Sequence, residues 1–329
     1  MSALVRVLLL LGLAASAAGA APAWRWSLPD GVMPPPVPAD NPMSAAKVAL
    51  GRRLFYEADL SIDGTLACAS CHAQKHGFAD SIPTRPGVNG DPGRRNAPGL
   101  ANVGWLPSLT FADPALTTLE AHAVVPLFGE RPVEMGMKGA EAELVRRLAR
   151  DACYVRMFRA AFPETRGAIT VDAAVKALGA FQRSFVSFDT PWDRHRQGKA
   201  ALPDAAARGA RLFHGEAGCA SCHAGPNFTD GRFHAVLPVG DDHGLGETTG
   251  RAEDEGRFRT PGLRNVALTA PYLHDGRAAH LADAITAHNK PIPAQDMDDL
   301  VAFLNALTDR GFVSDPRLSL PDRACGKRL

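Results

Sequence analysis

The pentapeptide Cys68-Ala-Ser-Cys71-His72 returns unchanged 151 positions later as Cys219-Ala-Ser-Cys222-His223. Cys-x-x-Cys-His is the attachment signal for c-type haem. Two thiols add across the vinyl groups of one porphyrin, and the adjacent imidazole turns onto the iron. A lone CxxC also serves zinc sites and redox dithiols, but here two identical copies use four of only six cysteines. The chain is therefore expected to carry two covalently bound haem c groups. Cys153 and Cys325 remain. In an oxidising compartment they could pair, or each could be a buried or free thiol, and the unpaired state is the favoured expectation.

The elements around these motifs repeat as well. Ser44 is placed to cap a helix running to about Tyr56, with Val48, Gly51, Leu54 and Phe55 on one face, and the first motif follows after a loop. Asp204 is expected to cap a second such helix, and Gly209-Ala-Arg-Leu-Phe213 matches Gly51-Arg-Arg-Leu-Phe55 ahead of the second motif. Duplication of a helix leading into CxxCH argues for two related haem domains. Helices are also expected over 117–125, 139–150, 170–186, 280–288 and 296–308, whereas 78–115 and 224–262 are rich in turn-forming residues. Residues 24–43 read as an extended lead-in, and 188–203 as the crossing between halves. The expected fold is mostly α: two cytochrome-c-like haem domains, 21–198 and 199–329, packed around a shared interface with long irregular loops.

The chain has 329 residues, 46% hydrophobic and 22% charged, with a formal charge of +1. That is globular composition with no excess charge to suggest a nucleic-acid partner. Residues 1–20 have one basic residue, Arg6, then an apolar run and a small-residue ending, and read as a cleaved secretory signal. The run is too short to span a bilayer. A periplasmic protein with no membrane span in the mature chain is expected, and this fits the export that haem c attachment requires.

Longer motifs stand in order with the haem signals: Arg95-Asn96-Ala97-Pro98, the segment Pro126–Gly136 containing Val133-Glu134-Met135-Gly136, and Arg259–Gly276. Together they resemble the bacterial dihaem cytochrome c peroxidase and MauG superfamily from about residue 40 to 310. The 126–136 segment is most similar to the MauG and MbnH branch, whose members use peroxide to oxidise residues of a partner protein. The resemblance implies that hydrogen peroxide reacts at the N-terminal haem, with His72 as proximal ligand and Glu134 as the distal acid/base. It implies that electrons are relayed through the C-terminal haem, held by His223. Their source would be a small periplasmic donor (a cytochrome c or a cupredoxin) or a partner protein substrate. It also implies a Ca²⁺ ion at Asn96 and the carbonyls of Thr269 and Pro271.

Several positions depart from that pattern. Val88 falls where peroxidases can place a self-inhibitory loop histidine. His122 replaces a usual distal Gln, and could assist proton transfer, ligate the first iron, or be an ordinary helix histidine. Phe111 falls where a Trp commonly lies between the haems, with Trp105 the nearest indole in sequence. The second axial ligand of the second haem, Met in peroxidases and Tyr in MauG, falls on His288, and Met297 lies off the pattern. The other histidines (76, 195, 214, 234, 243, 274 and 280) show no acid pairing in sequence and read as structural or solvated. A non-catalytic electron-transfer or redox-sensing cytochrome is the alternative reading, strengthened if His122 ligates the first iron.

Overall fold

The computed structural model describes residues 24–235 and 241–328, so the leader expected at 1–20 lies outside it. Among the described residues the chain is mostly helical. The first half carries α1 (Ala45–Phe55), the one-turn α2 (Cys68–Cys71), α3 (Leu119–Phe128), α4 (Glu141–Arg150), α5 (Ala152–Ala161) and α6 (Val171–Arg183). A short α7 (Pro191–Arg196) follows in the crossing, where no helix was expected, because Thr190 and Asp193 form a reciprocal cap around Pro191. The second half adds α8 (Asp204–His214), α9 (Leu245–Thr249), α10 (Leu281–Thr286), α11 (Ala294–Asn305) and α12 (Arg310–Ser314). Two-residue strands β1 (Phe233–His234) and β2 (Phe258–Arg259) pair antiparallel.

Ser44 caps α1 as expected, its side chain accepting from Lys47 N at 3.1 Å. At α8 the expectation needs correction. Pro203 holds the cap position and Asp204 is the first helical residue, where its charge still complements the helix dipole.

The sequence repeat marks one packing solution used twice. α1 crosses α6, and a Cβ on Gly51 would sit 1.9 Å from the carbonyl oxygen of Ala177. α8 crosses α11, and a Cβ on Gly209 would sit 1.8 Å from the carbonyl oxygen of Asp299. In each crossing the next contact, at 2.9 Å, is the Cβ of a Phe one turn further on, Phe181 or Phe303. The glycines let two backbones touch, and each helix then runs into its CxxCH turn at a fixed angle. Around the first crossing, Phe55, Phe78, Phe181 and Phe185 form a fully buried aromatic core.

After α11 the chain returns to the first helix group. Phe312 packs against Phe78 at 5.5 Å, and Gln74 Nε2 donates to the carbonyls of Phe312 (3.2 Å) and Asp315 (2.9 Å). Tyr56 donates to Leu318 O at 2.8 Å, and Cys153 is joined to Cys325 by a disulfide. This corrects the expectation of unpaired thiols. The cysteines are 172 residues apart, and only the return of the tail brings them together.

A buried polar network joins the halves. Asn102 donates to Asn227 Oδ1 (2.8 Å) and to Ser187 O (3.1 Å), while Asn265 donates to Ser187 Oγ (3.0 Å). Asp309 accepts from Ser187 Oγ and, through its backbone N–H, donates to Asn265 Oδ1 at 2.8 Å. Every member has partners, as a buried polar group must.

Gly51→Ala and Gly209→Ala are each expected to lower unfolding stability by about 1–3 kcal/mol through overpacking, measured by denaturant titration of the haem-loaded protein. Alanine at exposed Gly90, which meets nothing within 4 Å but has positive φ, should not separate a helix crossing in this way.

Candidate haem sites and their distal groups

The two CxxCH segments close in slightly different turns, α-helical at Cys68–Cys71 and 3₁₀ at Cys219–Ser221. In both, the histidine N–H donates to the carbonyl of the first cysteine at 3.0 Å. The rings are oriented alike. His72 Nδ1 donates to Phe78 O at 2.7 Å, and His223 Nδ1 donates to Phe228 O at 3.1 Å. Each accepting carbonyl belongs to a phenylalanine in the left-handed region, with φ of 61° at Phe78 and 53° at Phe228. A bulky residue adopts that conformation only under tertiary restraint. Phe78 is stacked on Phe185 at 4.2 Å, and Phe228 packs among Phe213 and Phe303. With Nδ1 occupied, Nε2 is the nitrogen left for a metal. Burial depresses both imidazoles, His223 to about 4, which keeps them in the neutral form that a ligand requires.

At the second motif a cavity of about 330 Å³ is lined by Cys219, Cys222, His223 and, facing them, Tyr272, Ile285 and His288. The His223 and His288 rings stand 6.4 Å apart, inclined by 62°. Two imidazoles bound to one metal from opposite sides at about 2 Å place their ring centres roughly 6 Å apart, so this separation suits a shared iron. His288 Nδ1 donates to Ala284 O at 2.8 Å, again freeing Nε2. Met297 is not among the lining residues. The residues present fit a bis-imidazole haem c.

The first site differs on the far side of His72. His122 lies on α3, and the Glu134 loop is sewn to the end of that helix: Met135 N donates to Pro126 O and Met137 N to Leu127 O, both at 2.9 Å. Val88 N donates to Glu134 O at 2.9 Å, so the 85–91 loop closes over the same segment. A Cβ on Gly87 would fall 1.8 Å from Val133 O. His122 is pushed down to about 4, chiefly by burial, then by its neighbours His72 and Arg259. Glu134 is raised above the usual carboxylate range by burial. It lies within electrostatic reach of Cys68 and Cys71, whose thiols are pushed up to about 12. His122 and Glu134 therefore share the neighbourhood of the first motif. Among the described residues, no imidazole pairs with His72 as His288 does with His223.

Phe111 is buried on the wall of the second cavity, its carbonyl accepting from Arg259 N at 2.8 Å. Trp105 lies instead in an aromatic group with Trp26 (6.4 Å) and Phe188 (5.5 Å). Asn96, Thr269 and Pro271 come together on the wall of that same cavity. Asn96 is buried and donates to the carbonyls of Ile82 (3.2 Å) and Pro83 (3.1 Å). Two histidines read as lacking acid partners do have them: His234 meets Asp230 at 2.8 Å and His243 meets Glu255 at 2.6 Å.

Sequence reading missed Phe78 and Phe228, because a backbone acceptor leaves no mark on residue type. A second internal repeat went unread: Pro98-Gly-Leu-Ala-Asn102-Val103 matches Pro261-Gly-Leu-Arg-Asn265-Val266. Both prolines offer a carbonyl beside the site imidazole, and both asparagines take left-handed φ at the start of a 3₁₀ turn.

This duplicated helical fold, with two CxxCH turns and two oriented imidazoles, defines a dihaem c-type cytochrome. The sequence matches the di-haem cytochrome c peroxidase family over residues 45–201. It is 34% identical to cytochrome-c peroxidase IdrP1 of Denitromonas iodatirespirans, covering 95% of this chain and 96% of that protein. It is 35% identical to the methylamine utilization protein MauG of Methylorubrum extorquens, over 86% and 83%. Among solved structures, a MauG-like protein associated with microbial copper homeostasis superposes with a TM-score of 0.87 at 40% identity, covering 92% of this chain and all of that one. The chain belongs to the dihaem cytochrome c peroxidase and MauG family, and is a dihaem peroxidase-like oxidoreductase with two c-type haems. Among the described residues no helix is long and apolar enough to cross a membrane.

His288→Met is expected to raise the midpoint potential of the second haem, since thioether ligation favours the reduced iron. Redox titration followed optically checks it. An unchanged potential and spectrum would assign the sixth position to another residue.

Proposed function

We propose that the protein is a periplasmic enzyme that reduces hydrogen peroxide at the His72 site, with electrons entering through the His223/His288 site. The observation that carries this reading is the asymmetry between the sites. One imidazole stands near a second imidazole, and the other shares its neighbourhood with a half-buried carboxylate and a neutral histidine. When bound, the haem at His72 supplies the redox chemistry that breaks the O–O bond. The protein's part is to move protons. Glu134, ionised, takes the proton from the near oxygen of the peroxide and returns it to the far oxygen. With two electrons and two protons, one peroxide gives two waters. His122, neutral at pH 7 with a value of about 4, offers a hydrogen-bond donor and acceptor without competing as a cation.

His288 would hold the second iron with His223, leaving that centre closed to peroxide and suited to electron passage. Asn96 Oδ1, its amide N–H₂ already spent on Ile82 and Pro83, would join the carbonyls of Thr269 and Pro271 in holding one Ca²⁺. The leader-like residues 1–20 and the thioether attachment chemistry support a periplasmic location. The MauG-like 126–136 segment, and the likeness to the MauG-like structure, favour oxidation of a partner protein's residues over a soluble donor such as a cytochrome c or cupredoxin. Phe111 in the inter-haem position argues against an oxidised indole there.

Glu134→Gln is expected to slow peroxide consumption by about 10²–10⁴-fold with both haems retained. In the parent protein the rate should fall as pH drops through the Glu134 value, which burial places above the ordinary glutamate pKa of about 4.3. That limb should vanish in the variant. Stopped-flow peroxide reduction against pH measures both, and full activity in Glu134→Gln would remove the proposed acid/base.

A further inference from the structure

Arg259, on β2, is 2% exposed. Its guanidinium donates to two backbone carbonyls, Thr110 O at 2.9 Å and Thr260 O at 3.1 Å. No carboxylate lies within 4 Å of it among the described residues, unlike the other buried arginines, Arg53 with Asp151, Arg183 with Glu120 and Arg264 with Asp193. Two carbonyls satisfy N–H groups but do not neutralise a charge, and an isolated buried cation is costly. The low-dielectric setting depresses the group to about 10, which still leaves it charged at neutral pH.

Arg259 also lines the cavity that holds Cys219, Cys222, His223 and His288. A porphyrin joined to those cysteines carries two carboxylates on the ring edge opposite its thioethers. His274, on the same wall, is also buried, and its Nδ1 has no partner. It is held flat against Phe258, the neighbour of Arg259, at 3.7 Å. A buried cation with no carboxylate beside it on the cavity wall marks an anion site there.

We infer that Arg259 is the counter-ion of a propionate on the second haem. The location gives the residue reach into both sites. Its backbone N–H holds Phe111, and its charge is felt at His122 on the first site's distal side. A cation fixed beside the second haem favours the reduced iron, so Arg259 sets the potential of the electron-passing centre. This inference rests on the second haem and does not require peroxide turnover.

The test compares the haem-loaded Arg259→Gln and Arg259→Lys proteins with the parent by haem stoichiometry and optical redox titration. Arg259→Gln should shift the second haem to more negative potential, or lose that haem, while Arg259→Lys retains it and restores most of the shift. If Lys behaves like Gln, the residue acts only through its carbonyl contacts and the counter-ion role fails. Equal potentials and full loading in all three proteins would also overturn it. Peroxide reduction measured in parallel separates this outcome from failure of the proposed function.

Discussion

A haem imidazole must offer Nε2 to the metal and nothing else, and in both halves of this protein that demand is met by one hydrogen bond to one backbone carbonyl. The bond from His72 ends on Phe78, and the bond from His223 on Phe228. Neither carbonyl could point at its ring unless the phenylalanine accepted a left-handed backbone, and neither phenylalanine would hold it without the aromatic core behind it. The core in turn exists because Gly51 and Gly209 let two helix pairs approach until their backbones touch. Glycine contact, aromatic core, strained carbonyl and oriented imidazole form a single chain of dependence, built twice.

The duplication ends on the distal side of each imidazole. The second site answers His223 with His288, whose ring stands 6.4 Å away and whose own Nδ1 is tied to Ala284, leaving its Nε2 free. The first answers His72 with a helix and a loop tied together by backbone hydrogen bonds, bringing His122 and Glu134 into one desolvated region. Burial acts on these two groups in opposite senses, lowering the histidine and raising the carboxyl. A neutral imidazole and a raised carboxyl near the same motif would suit proton handling. A pair of imidazoles on one iron would be a closed arrangement.

Much of this architecture was legible in the sequence. The CxxCH pair pointed to the cofactor type, the Gly-x-Arg-Leu-Phe repeat exposed the duplicated helices, and the family resemblance pointed to His288, whose ring stands 6.4 Å from that of His223. The features that stayed hidden depend on backbone or on distant chain. Phe78 and Phe228 act through carbonyls, and any residue has one. The Cys153–Cys325 disulfide depends on a tail that folds back across the molecule, and Arg259 reads as one motif arginine among several until its lack of a carboxylate is seen in three dimensions. Asp204 missed its cap position by one residue because Pro203 already supplies the extended backbone that a cap requires.

Under the proposed function one fold holds two c-type irons in chemically different states, one open for peroxide and one closed by His288. Low-temperature electron paramagnetic resonance of the ferric protein at pH 7 tests it most directly. One high-spin signal is expected, altered by anions that bind open ferric haem, with one low-spin signal of bis-imidazole type that those anions leave unchanged. Two low-spin signals, both indifferent to such anions, would contradict it.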